Sequence, residues 1–141
     1  MSDLASTVFD DAVAQELSER LADVFRTAQA TDVLADDVFL DGNPPLWRFQ
    51  LEGREAFDAW IKSFVPHGAA TTVVRVIPTV TGFVTEFSGR RDEDGRDITD
   101  RKIILAEVRD GRITELTVYC SGDWDRDLRA RHAAETRLLR P

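Results

Sequence analysis

Ile103-Ile104-Leu105-Ala106-Glu107-Val108-Arg109-Asp110-Gly111-Arg112-Ile113-Thr114-Glu115-Leu116-Thr117-Val118-Tyr119-Cys120 reads as two strands joined by a tight turn. Both flanks are apolar and β-branched, and Asp-Gly supplies the positive φ that a two-residue hairpin needs. Working backwards, Ile98 to Arg109 is one long strand, and Arg90 to Arg96 is a polar hairpin tip. Val80 to Ser88 and Thr71 to Ile77 are two more strands. The second half of the chain is therefore an antiparallel meander.

The first half is helical. Val13, Leu17, Leu21, Val24 and Phe25 recur by threes and fours, which predicts a helix over 11–30. Thr31-Asp32 caps a short second helix at Val33–Ala35. Val38 to Asp41 is a strand running into the Gly42-Asn43-Pro44-Pro45 turn, and Trp47 to Leu51 alternates as a second strand. Phe57, Trp60, Ile61 and Phe64 line one face of a helix over 54–65, which Pro66 stops. Ser121-Gly122-Asp123 caps a final helix from Trp124 to about Leu139. Helices first and a meander last predict an α+β fold, with a curved antiparallel sheet wrapped on helices.

With 141 residues, the chain reads as a single domain whose core spans about 11–121. Its net charge of −8 disfavours nucleic acid and anionic membranes, which need clustered Lys and Arg. No apolar run approaches the length of a membrane span. The start, Met1-Ser2-Asp3-Leu4, shows no leader pattern, and Cys120 is the one cysteine, so the cytoplasm is expected. His67 and His132 stand apart, without zinc-ligand spacing, and no Gly-rich phosphate loop occurs. The expectation is a site without metal or cofactor.

This order of elements resembles the nuclear transport factor 2-like superfamily, also called cystatin-like or SnoaL-like. The resemblance rests on Leu34-Ala35-Asp36-Asp37-Val38-Phe39, on Leu51-Glu52-Gly53-Arg54-Glu55-Ala56-Phe57, and on Asp110-Gly111-Arg112-Ile113-Thr114-Glu115-Leu116. It implies a cone with an internal pocket. It does not imply one chemistry, because this fold hosts ketosteroid isomerases, epoxide hydrolases, polyketide cyclases, a dehydratase and plain binding domains. At the positions matching the epoxide hydrolase triad stand Phe87, Gly89 and Val118. Ile104 stands where the isomerases carry an oxyanion-donating Asp, and Asp41 falls one residue before their base. The His and Asp of the cyclases have no counterpart near Thr85 and Ser121.

The resemblance points Leu116, Val118 and Cys120 into the cone, with Asp100, Lys102, Ile104 and Ala106, and with Phe83, Thr85 and Phe87. Asp41, desolvated at a cone mouth, is a candidate general base; alternatively it starts the Gly42 turn. Asp100 and Lys102 share a strand face. Facing inward they form a charge pair that polarises a carbonyl or shuttles a proton; a one-residue slip puts Arg101 inward instead. Tyr119 is a candidate oxyanion donor, although only one of Tyr119 and Cys120 can face the cone. Phe25, Trp47, Phe87, Ile104, Val118 and Cys120 are the candidate ligand-binding residues, Trp47 at the rim. Cys120 also reads as a small buried residue, and Trp60 and Phe64 as core or, with Phe25 and Trp47, as an aromatic wall against a flat ligand. The expected function is cofactor-independent acid–base catalysis on a hydrophobic, cyclic or polyketide-like substrate. The alternatives are a non-catalytic binder and a structural dimerisation module. The final helix reads as a packed surface helix, a lid or a dimer arm. The apolar outer sheet face implies a homodimer.

Overall fold

The computed structural model describes residues 8–140. Helix α1, Asp11–Thr27, starts where the Asp10 carboxylate accepts the Val13 N–H at 3.0 Å, and ends at Ala28 in the left-handed conformation. Its buried stripe runs through Ala14, Leu17, Leu21 and Phe25; Val13, expected in it, is exposed. Strand β1, Leu34–Asn43, follows directly. The short helix expected at Val33–Ala35 does not form. The Val33 carbonyl accepts the Ile113 N–H at 2.8 Å, and Leu34 pairs with Ile113, so sheet pairing claims this segment.

Strand β2, Phe49–Glu52, returns antiparallel to β1, and α2, Arg54–Phe64, buries Phe57 and Ile61. The meander follows as β3, Ala70–Pro78; β4, Gly82–Glu93; β5, Arg96–Arg109; and β6, Arg112–Cys120. The sheet order is β2-β1-β6-β5-β4-β3, antiparallel except for the β1–β6 pair. Both late hairpins turn on Asp-Gly with positive φ at both residues: 52° and 81° at Asp94-Gly95, 53° and 76° at Asp110-Gly111. The polar stretch Arg90–Glu93 thus belongs to β4, paired out to Glu93 with Arg96.

The fold is α+β, a curved and unclosed sheet with helices on its concave face. Leu21, Phe25, Phe57, Ile61, Phe83, Phe87, Ile104 and Leu116 form the core, each at most 2% exposed. Burying side chains of this size contributes about 1.5–3 kcal/mol each, before entropy is counted. The last helix, α3, Arg126–Glu135, is shorter than expected and buries no residue. Asp125 caps it, accepting the Leu128 N–H at 2.9 Å. Leu138 and Leu139 lie beyond its end, exposed. Its attachment is polar: Arg129 donates to the Asp97 carboxylate at 3.0 Å and to the Asp97 carbonyl at 3.0 Å. Among the described residues no helix is long and apolar enough to cross a membrane.

Candidate functional site

Side chains on β4 and β5 alternate between the two sheet faces. Phe83, Thr85, Phe87, Gly89 and Arg91 face inward on β4, and Ile98, Asp100, Lys102, Ile104 and Ala106 face inward on β5. Pairing sets Gly89 opposite Asp100 and Phe87 opposite Lys102. A Cβ on Gly89 would collide with Asp100 Oδ1, so glycine here is what lets the carboxylate lie flat on the sheet.

Three charges meet there. Lys102 Nζ donates to Asp100 Oδ2 at 2.8 Å, and Arg91 Nη1 stands 3.6 Å from the same oxygen. Arg91 Nη2 reaches the Asp123 carboxylate at 2.8 Å and Glu93 at 3.2 Å. The cations lie over aromatic faces: Lys102 is 5.1 Å from the Phe25 ring centre and 5.3 Å from that of Phe64, and Arg91 is 4.8 Å above Phe64. Asp100 Oδ1 and Arg91 Nε are buried with no hydrogen-bond partner. Such a cluster persists only while its charges stay matched.

Lys102 opens on a cavity of about 520 Å³, within the usual range for small-molecule sites. One wall is aromatic: Phe49, Trp60 and Phe64, with Trp60 and Phe64 stacked at 5.3 Å and 18°. Leu40, Val118 and Cys120 form the sheet side. The mouth lies between Asn43-Pro44-Pro45 and Ser121–Trp124, with Leu128 from α3 beside it. Gly122, at φ 85°, brings these lips together, because a Cβ there would stand 2.9 Å from Pro45 Cγ. Burial pushes the Cys120 thiol up, while the Gly122 N–H on its sulfur opposes this. Among the described residues no group of three or more His, Cys, Asp or Glu is placed to hold a metal ion.

Of the expected site residues, Asp100, Lys102, Val118 and Cys120 face the cone, and the last three line the cavity. Phe25, Phe87 and Ile104 face inward too, but they fill the cone instead of walling the cavity. Phe25 packs edge-on against Phe87 at 5.9 Å, and all three are at most 2% exposed. Asp41 and Tyr119 point to the outer sheet face, out of phase with their neighbours Leu40, Gly42, Val118 and Cys120. Asp41 takes a two-pronged ion pair from Arg48 at 2.9 and 3.0 Å, which holds its carboxyl below the usual range rather than above it. Tyr119 is 56% exposed. Trp47 is 73% exposed on the β1–β2 turn and does not line the cavity.

Arg91 and Asp123 were not foreseen. Reading Asp94-Gly95 as a two-residue turn would have found Arg91, since it puts Arg91 in phase with Gly89 opposite Asp100. Asp123 reads in sequence as a helix cap, a role that Asp125 fills.

No family model matches the chain, and no curated protein matches it. Solved structures do. An NTF2-like protein from Anabaena variabilis is 20% identical, with TM-score 0.65 over 87% of this chain and 96% of that one. A putative isomerase from Bacillus subtilis is 20% identical, with TM-score 0.64 over 78% and 87%. An LEH-like epoxide hydrolase from M. tuberculosis is 16% identical, with TM-score 0.61 over 78% and 84%. At these identities the likeness is one of fold.

Proposed function

We propose, for a chain with the NTF2-like fold, that the cavity binds a hydrophobic small molecule and performs cofactor-independent acid–base chemistry on it. Isomerisation, cyclisation, dehydration and hydrolysis are the reactions in scope. The observation that carries this reading is Lys102. Its side chain is 7% exposed, it lines an otherwise largely apolar cavity, and Asp100 occupies one of its three donors. A carbonyl or carboxylate oxygen placed against the other donors is polarised, and charge developing on it in the transition state is stabilised beside largely apolar walls. Asp100 orients the ammonium. Asp123, held by Arg91 on the cavity wall, is the carboxylate positioned to exchange a proton with a substrate carbon.

The test is native mass spectrometry of the purified protein, then denaturing extraction of any bound molecule. An apolar, oxygen-bearing compound is expected from the wild type and is lost in Lys102→Met. Equal retention by the variant sinks the role given to Lys102. A second reading, sequestration without chemistry, is favoured by the outward placement of Asp41 and Tyr119 and by the apolar Phe87, Ile104 and Val118 in the cone. An extracted compound that the protein never converts supports it.

The outer sheet face exposes Ile103, Leu105 and Tyr119. It is the surface through which a second copy would pair, and sedimentation of wild type against Ile103→Lys tests this.

A further inference from the structure

We infer that the ligand of this cavity is a hydrophobic carboxylate, its apolar body along the aromatic wall and its anionic end on Lys102. The inference rests on the reading of the cavity as a small-molecule site. It comes from how the two interior cations are matched. Arg91, 5% exposed, is held by the Asp123 and Glu93 carboxylates at 2.8 and 3.2 Å and stands 3.6 Å from Asp100. Lys102, 7% exposed, has one carboxylate oxygen, Asp100 Oδ2 at 2.8 Å, and shares it with Arg91. Lys102 is the less fully matched of the two, and a buried cation short of acceptors is costly.

Among the described residues Lys102 is the interior cation that lines the cavity, and Asp100, its one protein acceptor there, takes one of its three donors. A neutral oxygen would satisfy a donor without supplying countercharge, and an ammonium would be repelled. A carboxylate supplies acceptor and countercharge together, and its bond to Lys102 is of the stronger, charge-assisted kind. The position of Asp123 sets the polarity of the bound molecule. As the cavity-lining carboxylate beside the mouth, it repels an anionic end there and favours it at Lys102.

The experiment is calorimetric titration of the full chain with 2-naphthoate and with its neutral counterpart, 2-naphthylmethanol. Wild type should bind naphthoate roughly tenfold or more tightly than the alcohol, the scale of one charge-assisted hydrogen bond. Lys102→Met should erase that preference while the alcohol still binds. Asp123→Asn should tighten naphthoate more than it changes the alcohol. If Lys102→Met does not fold, Asp123→Asn carries the test. Equal affinities for the two probes in wild type overturn the carboxylate and leave the apolar cavity standing. Binding of neither probe overturns the cavity reading, and the carboxylate with it.

Discussion

Asp41 on β1 and Asp100 on β5 sit on one sheet but on opposite faces, and everything about them differs. Asp41 points out, pairs with the exposed Arg48 and keeps contact with water. Asp100 points in, is 3% exposed, holds Lys102 and leaves one oxygen without a partner. An ion pair in water contributes little net stability, because solvation competes with it and salt screens it. The interior cluster is different: its members are needed because the others are there. Residue type therefore says less about function than the face on which alternation places the residue.

The largest effect should come from Asp100→Ala. It leaves Arg91 and Lys102 facing each other without their shared carboxylate and should cost about 3–5 kcal/mol, read as a lower midpoint in urea. Asp41→Ala should barely move that midpoint; equal losses would erase the distinction between the faces. Next is Gly89→Ala. The added methyl displaces Asp100 Oδ1 and should cost about 1–3 kcal/mol by overpacking, together with weaker binding in the cavity. Loss of stability with unchanged binding would separate Gly89 from the site.

Thr85→Val tests the same inner face away from the charges. The Thr85 hydroxyl meets that of Ser18 at 2.7 Å, fully buried, and stranding Ser18 should cost about 1–3 kcal/mol without changing ligand binding. The smallest effect belongs to Asp41→Asn, and it depends on pH. Arg48 lowers the Asp41 carboxyl in the folded state. The contribution is therefore present above the unfolded value of about 3.9 and is lost as pH falls through the lower, folded value. The variant should be slightly less stable than wild type at neutral pH, converge with it below about pH 4 and so show a flatter acid limb. A gap that persists unchanged in acid would mean that Asp41 does more than pair with Arg48.

The hairpin at Asp110-Gly111 and the stripes of α1 and α2 were legible because they are local: a turn chemistry and a 3.6-residue period need only neighbours in sequence. The strand parity of β5 was legible only as two alternatives, and pairing with β4 chose between them. The short helix at Val33–Ala35 failed for the converse reason, since pairing with Ile113, far along the chain, outweighed a local cap.

The sequence by itself determined that this is a helix-then-meander α+β chain, where most strands begin and end, and that Asp100 and Lys102 share a face. Tertiary structure alone decided that the face is the inner one, that Arg91 from β4 and Asp123 from the segment before α3 complete the cluster, and that Phe25, Phe87 and Ile104 fill the cone rather than line the cavity. The reason is range. Periodicity and turn chemistry act within a few residues, whereas Arg91 and Asp123 are brought together by strand register and a glycine-permitted turn. The space left at the mouth depends on how α2, β1, β6 and the Ser121–Trp124 segment pack at once.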